Sequence, residues 1–258
     1  MARQLRNVGL ARALSKLGYC SRSQADGLIR SGRVQLNGSV KRDPQTPVLL
    51  ERDRITVHRT LIRPAEKLYL MLNKPRGVVT TASDEKGRPT IYSALSNDLP
   101  WLAPVGRLDK ASEGLLLLTN DSEWAAAVLS PATHLQKTYH VQVSGTRNAE
   151  LTGALMRGLS ISGGEFLRVT DARVLRQGNR NTWLTIVLDE GRNRHIRRML
   201  EQLGIDVLRL VRVAIGPLAL GNLAKGAYRP LTIEEKSGID GAMRQLPGGP
   251  KSSRRRSV

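Results

Sequence analysis

Residues 10–40 read LARALSKLGYCSRSQADGLIRSGRVQLNGSV, and two periodicities meet in that run. Leu10, Ala13, Leu14 and Leu17 recur at i, i+3, i+4 and i+7, which predicts the apolar face of a helix. Gly18 predicts its end. Ser21-Arg22-Ser23-Gln24 has the spacing of a capping box. A second helix is expected there, burying Ala25, Leu28 and Ile29 and stopping at Gly32. From Val34 to Val40 the apolar residues alternate instead, on either side of Asn37-Gly38, a dipeptide that favours a tight hairpin. Arg12, Lys16, Arg22, Arg30 and Arg33 lie off the apolar positions, so they can face one partner together or simply face water.

This cationic stretch belongs to a wider asymmetry. The 258 residues hold 41 Lys+Arg against 22 Asp+Glu, a formal net charge of +19. Residues 1–63 carry +9 of it, residues 64–237 carry +6 and residues 238–258 carry +4. Such a chain is drawn to polyanions, meaning nucleic acid or an anionic membrane surface. One Phe, five Tyr and three Trp are too few for scattered base-stacking platforms. No run approaches the ~18 apolar residues of a membrane helix. The opening MARQLRNVGL has no apolar core and is not read as a signal peptide. The single cysteine, Cys20, excludes an internal disulfide and a cysteine-built zinc cluster, which suits a reducing cytoplasm. The expected organisation is a basic recognition domain over 8–63, a body over 64–237 and a basic, disordered tail over 238–258.

The body reads as strands with fewer helices. LYLMLN at 68–73 predicts a buried strand, broken by the basic turn Lys74-Pro75-Arg76-Gly77. LLLLT at 115–119 predicts another, and Ser122 is read as the cap of a helix running through Ser130. Further strands are expected at 138–143, 166–175, 183–189 and 207–215, with a helix at 151–159. Ile196, Met199, Leu200 and Leu203 form another helical stripe. The class expected is α+β on a mainly antiparallel sheet.

Three places in the body can carry chemistry. The loop Val105-Gly106-Arg107-Leu108-Asp109-Lys110-Ala111-Ser112-Glu113-Gly114 sets a carboxylate beside Arg107 and Lys110. Nearby cations keep a carboxylate ionised as a nucleophile or base, although a turn aspartate in a surface ion pair reads the same way. In the segment 189–200, Arg194, Arg197 and Arg198 stand opposite the apolar stripe. That face can bind phosphate, clamp a carboxylate or remain solvated. Tyr139, in Lys137-Thr138-Tyr139, can stack on a base or fill a core. His58, His134, His140 and His195 show no paired metal spacing, and no P-loop, serine elbow or dinucleotide fingerprint is present, so neither a metal nor a cofactor is indicated.

The run ARALSKLGYCSRSQADGLIRSGRVQLNG resembles the alpha-L RNA-binding motif of small-subunit ribosomal protein four, over about residues 10–57. The resemblance implies RNA phosphate contacts by Arg12, Lys16, Ser21, Arg22, Arg30 and Arg33, which position a partner without reading its bases. The whole chain, from about residue 10 to 236, resembles bacterial ribosomal-RNA pseudouridine synthases that carry such a domain. The matching segments are Asn73-Lys74-Pro75-Arg76-Gly77-Val78-Val79-Thr80, GRLDKASEGLLLLTND at 106–121, Lys137-Thr138-Tyr139 and EGRNRHIRRMLEQLG at 190–204.

That family resemblance implies a pseudouridine synthase catalytic domain, on a mainly antiparallel sheet with flanking helices, behind the small helix-helix-hairpin domain. It implies Asp109 as the catalytic aspartate, Tyr139 as the ring packed on the target uracil, and Arg197 as the ion-pair partner of the aspartate. Lys74, Arg76, Arg107, Arg194 and Arg198 are expected to meet RNA. Ser112 and His195 depart from the Thr and Gln that the family often has. The implied function is cofactor-free isomerisation of a ribosomal RNA uridine, more in the manner of the 23S than the 16S enzymes. The implied setting is a cytoplasmic monomer acting on ribosomal RNA or a pre-ribosomal particle, with no membrane partner. The alternative is a non-catalytic RNA-binding or ribosome-assembly protein.

Overall fold

Ser21 starts its helix by the reciprocal contact that its sequence spacing predicts. Its Oγ accepts from the Gln24 amide at 3.1 Å, and Gln24 Oε1 accepts from the Ser21 amide at 3.0 Å. The computed structural model describes residues 7–82, 84–145 and 149–244. Helices α1 (Leu10–Lys16) and α2 (Arg22–Arg30) set Leu10, Leu14, Ala25 and Ile29 into one core. That core lies against a four-stranded sheet built from β1 (Val34–Leu36), β2 (Ser39–Lys41), β3 (Ile55–Val57) and β4 (Thr60–Leu61). At the β1–β2 turn both central residues have positive φ, Asn37 at 53° and Gly38 at 82°, as a primed hairpin turn requires. Asn37 also donates to Asp53 at 2.9 Å and accepts from the Arg54 amide at 2.9 Å, which ties the hairpin to the next strand.

The body is a nine-stranded sheet. Its main path uses β5 (Tyr69–Lys74), β6 (Glu113–Thr119), β7 (Lys137–Ser144), β8 (Asp171–Gln177), β9 (Asn181–Leu188), β10 (Val207–Ile215) and β11 (Tyr228–Pro230). They lie in the order β8-β9-β7-β10-β6-β5-β11, with Ala103–Val105 beside β6 and Leu218–Ala219 beside β10. The β10–β6 pairing is parallel and the others in this sheet are antiparallel. The class is therefore α+β with a mainly antiparallel sheet. Helices α4 (Ala149–Arg157) and α5 (His195–Gln202) cover one face over β7, β9 and β10. Helices α3 (Ser122–Leu129) and α6 (Ile233–Arg244) cover the opposite face over β5 and β6. The two domains touch: the Ala65 amide donates to the Leu17 carbonyl and the Trp101 amide to the Gly18 carbonyl, both at 3.0 Å.

Several local expectations are corrected. The α3 cap is Asp121, whose carboxylate accepts from the Glu123 and Trp124 amides, one residue before Ser122. The helix expected over 151–159 ends at Arg157, because Gly158 turns to φ 92° and Leu159 enters a short strand. The single strand expected over 166–175 is two pieces, Phe166–Leu167 and β8. Leu203 lies beyond the end of α5 and is 36 % exposed, so the buried stripe closes at Leu200. The stretch expected as a disordered tail is helical over residues 238–244, where Ile239 is fully buried. The remainder of that stretch, including Arg254-Arg255-Arg256, lies outside the described residues.

Candidate active site

The loop bearing Asp109 is held through its own carbonyls. Thr80 Oγ1 donates to the Leu108 carbonyl at 2.8 Å, and the Gly77 amide to that of Lys110 at 2.8 Å. The Arg197 guanidinium donates from Nη2 to the Ala111 carbonyl at 3.0 Å. Lys74 donates from Nζ to the carbonyls of Asp109 at 3.1 Å, Ser112 at 2.9 Å and Pro75 at 3.1 Å. Every carbonyl from Leu108 to Ser112 thus has a donor. The Asp109 carboxylate, by contrast, makes no hydrogen bond or close ion pair among the described residues. A fixed backbone carrying an uncommitted carboxylate is the arrangement expected of a group that acts on a substrate. Gly114 closes the loop at φ 103°, and a Cβ there would collide with the backbone of Arg212 on the parallel strand β10.

Asp109 opens on a cavity of about 500 Å³ that Tyr139, Arg107, Arg194 and Arg197 also line. Strand β7 brings Tyr139 there, and the loop leading into α5 brings Arg194, which takes a left-handed conformation at φ 48°. Residues 107, 139 and 197 meet only because β7, β10 and β6 lie side by side. Burial pushes the Arg197 pKa below its ordinary value, while the charge of Asp109 opposes that shift.

Other expected site residues stand elsewhere. Lys74 is completely buried, so its ammonium cannot meet RNA and instead clamps the Asp109 loop. Ser21 is 7 % exposed and its hydroxyl is engaged in the helix cap rather than free for phosphate. Arg197 reaches the loop at Ala111, and among the described residues no ion pair joins it to Asp109. Arg198 turns away to Glu165, at 2.6 Å. Arg76 is exposed and donates to the Leu208 carbonyl at 3.4 Å. On the N-terminal domain, Lys16 pairs with Glu123 at 3.4 Å and Arg30 with Asp26 at 2.7 Å. Arg12, Arg22 and Arg33 are exposed without an ion pair among the described residues.

Two cavity residues escaped the sequence reading. Arg212 is 6 % exposed, donates from Nε to the Leu115 carbonyl at 2.7 Å, and leaves Nη2 without a partner among the described residues. Lys137 is half-buried, and burial together with the charge of Arg212 pushes its pKa down. The available signal was parity: Arg212 sits two residues from Leu210, on the core-facing side of an apolar strand. His195 is buried at 3 % exposure, which pushes its pKa below the usual imidazole value and favours the neutral ring.

Glu113 braces the same loop from the other sheet face. Its side chain, 4 % exposed, accepts from Arg209 at 2.9 and 3.0 Å and pairs with Lys225 at 2.7 Å. Bonding to Arg209 holds its pKa down at about 2. A depressed carboxylate stabilises the fold above its unfolded pKa, and that contribution is lost as pH falls through the folded value. Glu113 is therefore expected to contribute about 3 kcal/mol at neutral pH, lost between about pH 4.5 and 2. Urea titrations at pH 7 and pH 3 check this. Wild type should lose more stability than Glu113→Gln, and equal losses would count against it.

Comparison with known proteins places the chain in a family. A family model described as RNA pseudouridylate synthase matches residues 68–202, and the S4 domain model matches residues 8–55. An uncharacterized RNA pseudouridine synthase of Rickettsia prowazekii (strain Madrid E) is 38 % identical over 224 residues, covering 86 % of this chain and 94 % of that one. Ribosomal large subunit pseudouridine synthase B of Bacillus subtilis (strain 168) is 35 % identical over 228 residues, covering 88 % and 93 %. A crystal structure of a pseudouridylate synthase superposes with a TM-score of 0.62 at 33 % identity, covering 91 % of this chain and 99 % of that one. A loop that fixes an uncommitted aspartate above a tyrosine-lined cavity, behind an S4 domain, thus accompanies matches along nearly the whole length, and the chain belongs to the RNA pseudouridine synthases, which are isomerases.

Proposed function

We propose that the protein converts a uridine of large-subunit ribosomal RNA to pseudouridine, with Asp109 as the reacting carboxylate and no cofactor. The observation that carries this reading is the Asp109 loop, held at each carbonyl from 108 to 112, while Asp109, its carboxylate without a hydrogen bond among the described residues, lines the cavity shared with Tyr139. The reaction breaks the bond from C1′ to N1 and joins C1′ to C5; the C5 proton leaves and N1 ends protonated. Atoms and electrons balance within the uridine, so no redox partner or hydrolytic water is required. Two routes begin from Asp109: attack on C1′, or removal of the 2′ hydrogen. Either needs the base out of its stack, at a cost of a few kcal/mol. Tyr139 supports the detached ring, and Arg107 stands exposed at the mouth. The large-subunit assignment follows the name of the Bacillus subtilis relative.

The S4 domain supplies the grip on RNA through Arg12, Arg22 and Arg33. The protein acts as a cytoplasmic monomer on ribosomal RNA or a pre-ribosomal particle; among the described residues no helix is long and apolar enough to cross a membrane. The test is to incubate the protein with 23S and 16S transcripts and with precursor particles, then map pseudouridine chemically. One new site in large-subunit RNA is the expected result. No new site in any substrate, with tight binding retained, would favour the non-catalytic RNA-binding alternative. A companion variant, Arg12→Glu/Arg22→Glu/Arg33→Glu, is expected to weaken binding to 23S transcript and flatten the log-affinity against log-salt slope by about 2 to 3, each phosphate contact counting for about 0.7–0.9. An unchanged slope would remove the S4 domain from the interface.

A further inference from the structure

Across the sheet, one transverse row reads Arg176, Trp183, Gln142 and Arg209, on β8, β9, β7 and β10 in register. Residues directly opposite in antiparallel strands share a face, so the four side chains stand on one side. The next row on the same side begins with Arg173 and includes His140. This is the face opposite the α4 and α5 helices, which pack instead against Val141, Leu184 and Leu210. Arg176 lies over the Trp183 ring at 5.2 Å and Arg209 at 5.7 Å, so one indole props two guanidiniums. Arg209 is held further by Glu113. Arg173 and Arg176 are exposed and make no ion pair among the described residues.

We infer that this open face is a second RNA-binding surface, which takes the phosphate backbone of ribosomal RNA lying beyond the stem-loop that bears the target uridine. Charge complementarity selects the occupant. The face combines unneutralised arginines with a pinned guanidinium row, and the established ligand class of the family is a polyanion. Arginines already ordered on an indole lose less rotamer freedom when a phosphate arrives than loose surface arginines do. The row spans about 14 Å at the usual strand spacing of about 4.8 Å, enough for more than one phosphate. This inference rests on ribosomal RNA as the substrate of the proposed reaction, but not on the reaction itself.

The test compares wild type with Arg173→Glu/Arg176→Glu and with the milder Arg173→Gln/Arg176→Gln, using full-length 23S transcript and a short stem-loop that is cut from it around the mapped uridine. The Glu pair should bind the long transcript about tenfold more weakly and lower its salt slope by about 1.4 to 1.8, for two phosphates. The Gln pair should lie between it and wild type. Binding of the stem-loop and the melting temperature should stay at wild-type values. Equal affinity and slope on the long transcript would overturn the inference. So would unchanged RNA binding with an altered oligomeric state, which would make the face a protein interface. If wild type converts no uridine, the stem-loop is taken from the region it protects, and the proposed reaction fails while this surface is still decided by the slope.

Discussion

Asp109→Asn is expected to abolish pseudouridine formation, by roughly 10⁴-fold or more in single-turnover rate, while leaving the fold and RNA affinity near wild type. The size follows from the chemistry: an amide neither attacks an anomeric carbon nor takes up a proton at neutral pH. The selectivity follows from the structure. The Asp109 backbone carries the loop contacts to Lys74 and Ser112, whereas the carboxylate makes no hydrogen bond among the described residues. The substitution therefore removes reactivity without removing a support. Wild-type and variant rates on the same transcript, with filter-binding affinities beside them, read both halves. A variant that still converts uridine within a few-fold of wild type would sink the role of Asp109. A variant that loses affinity and rate together would show a binding role instead. A 2′-deuterated target uridine separates the two routes: a slowed rate is expected only if Asp109 removes that hydrogen.

How far the site could be read from the sequence depends on the range of the contact concerned. The α2 capping box and the Asn37-Gly38 turn are decided within four residues, and both are found where the sequence puts them. The glycine-bounded loop with cations beside Asp109 reads equally as a surface ion pair, and only the family resemblance of GRLDKASEGLLLLTND singled that residue out. The harder readings needed partners far along the chain. Arg198 looked like part of a cationic helical face until the loop at Glu165 folded back to meet it, 33 positions away. Arg197 was expected on the Asp109 carboxylate, and it reaches the carbonyl of Ala111 in the same loop instead. Helical spacing gave the correct side of α5 but not the atom at the end of the guanidinium. The arginine row about Trp183 was invisible for the same reason: it exists only after β8, β9, β7 and β10 align, although 33 residues separate Arg176 from Arg209.

Lys74 shows the strongest conflict between sequence rule and structure, and it gives the second large expected effect. A lysine in a basic turn reads as solvated, because a buried ammonium is costly unless its donors are all used. Here three carbonyls use them, at 2.9 to 3.1 Å, and two of those carbonyls belong to the Asp109 loop. Lys74→Met keeps the length of the side chain and leaves all three carbonyls without that donor. The expected cost is about 3–5 kcal/mol of stability, as for breaking a buried polar network by removing one partner. A chain of this size should lose about 10 °C in melting temperature. Below the variant's melting range kcat should fall with little change in RNA affinity, since the clamp positions Asp109 and touches no phosphate. Burial pushes the Lys74 pKa down to about 8, while Asp109 and Glu113 pull it upward. For a depressed lysine the unfolded chain holds the proton longer, so the cost of the buried charge is fully present below about pH 8 and is relieved as pH rises toward the ordinary lysine value. Wild type should therefore gain stability relative to Lys74→Met between pH 8 and 10, read from urea midpoints at each pH. A methionine variant as stable and as active as wild type at pH 7 would show that the loop holds Asp109 without the lysine.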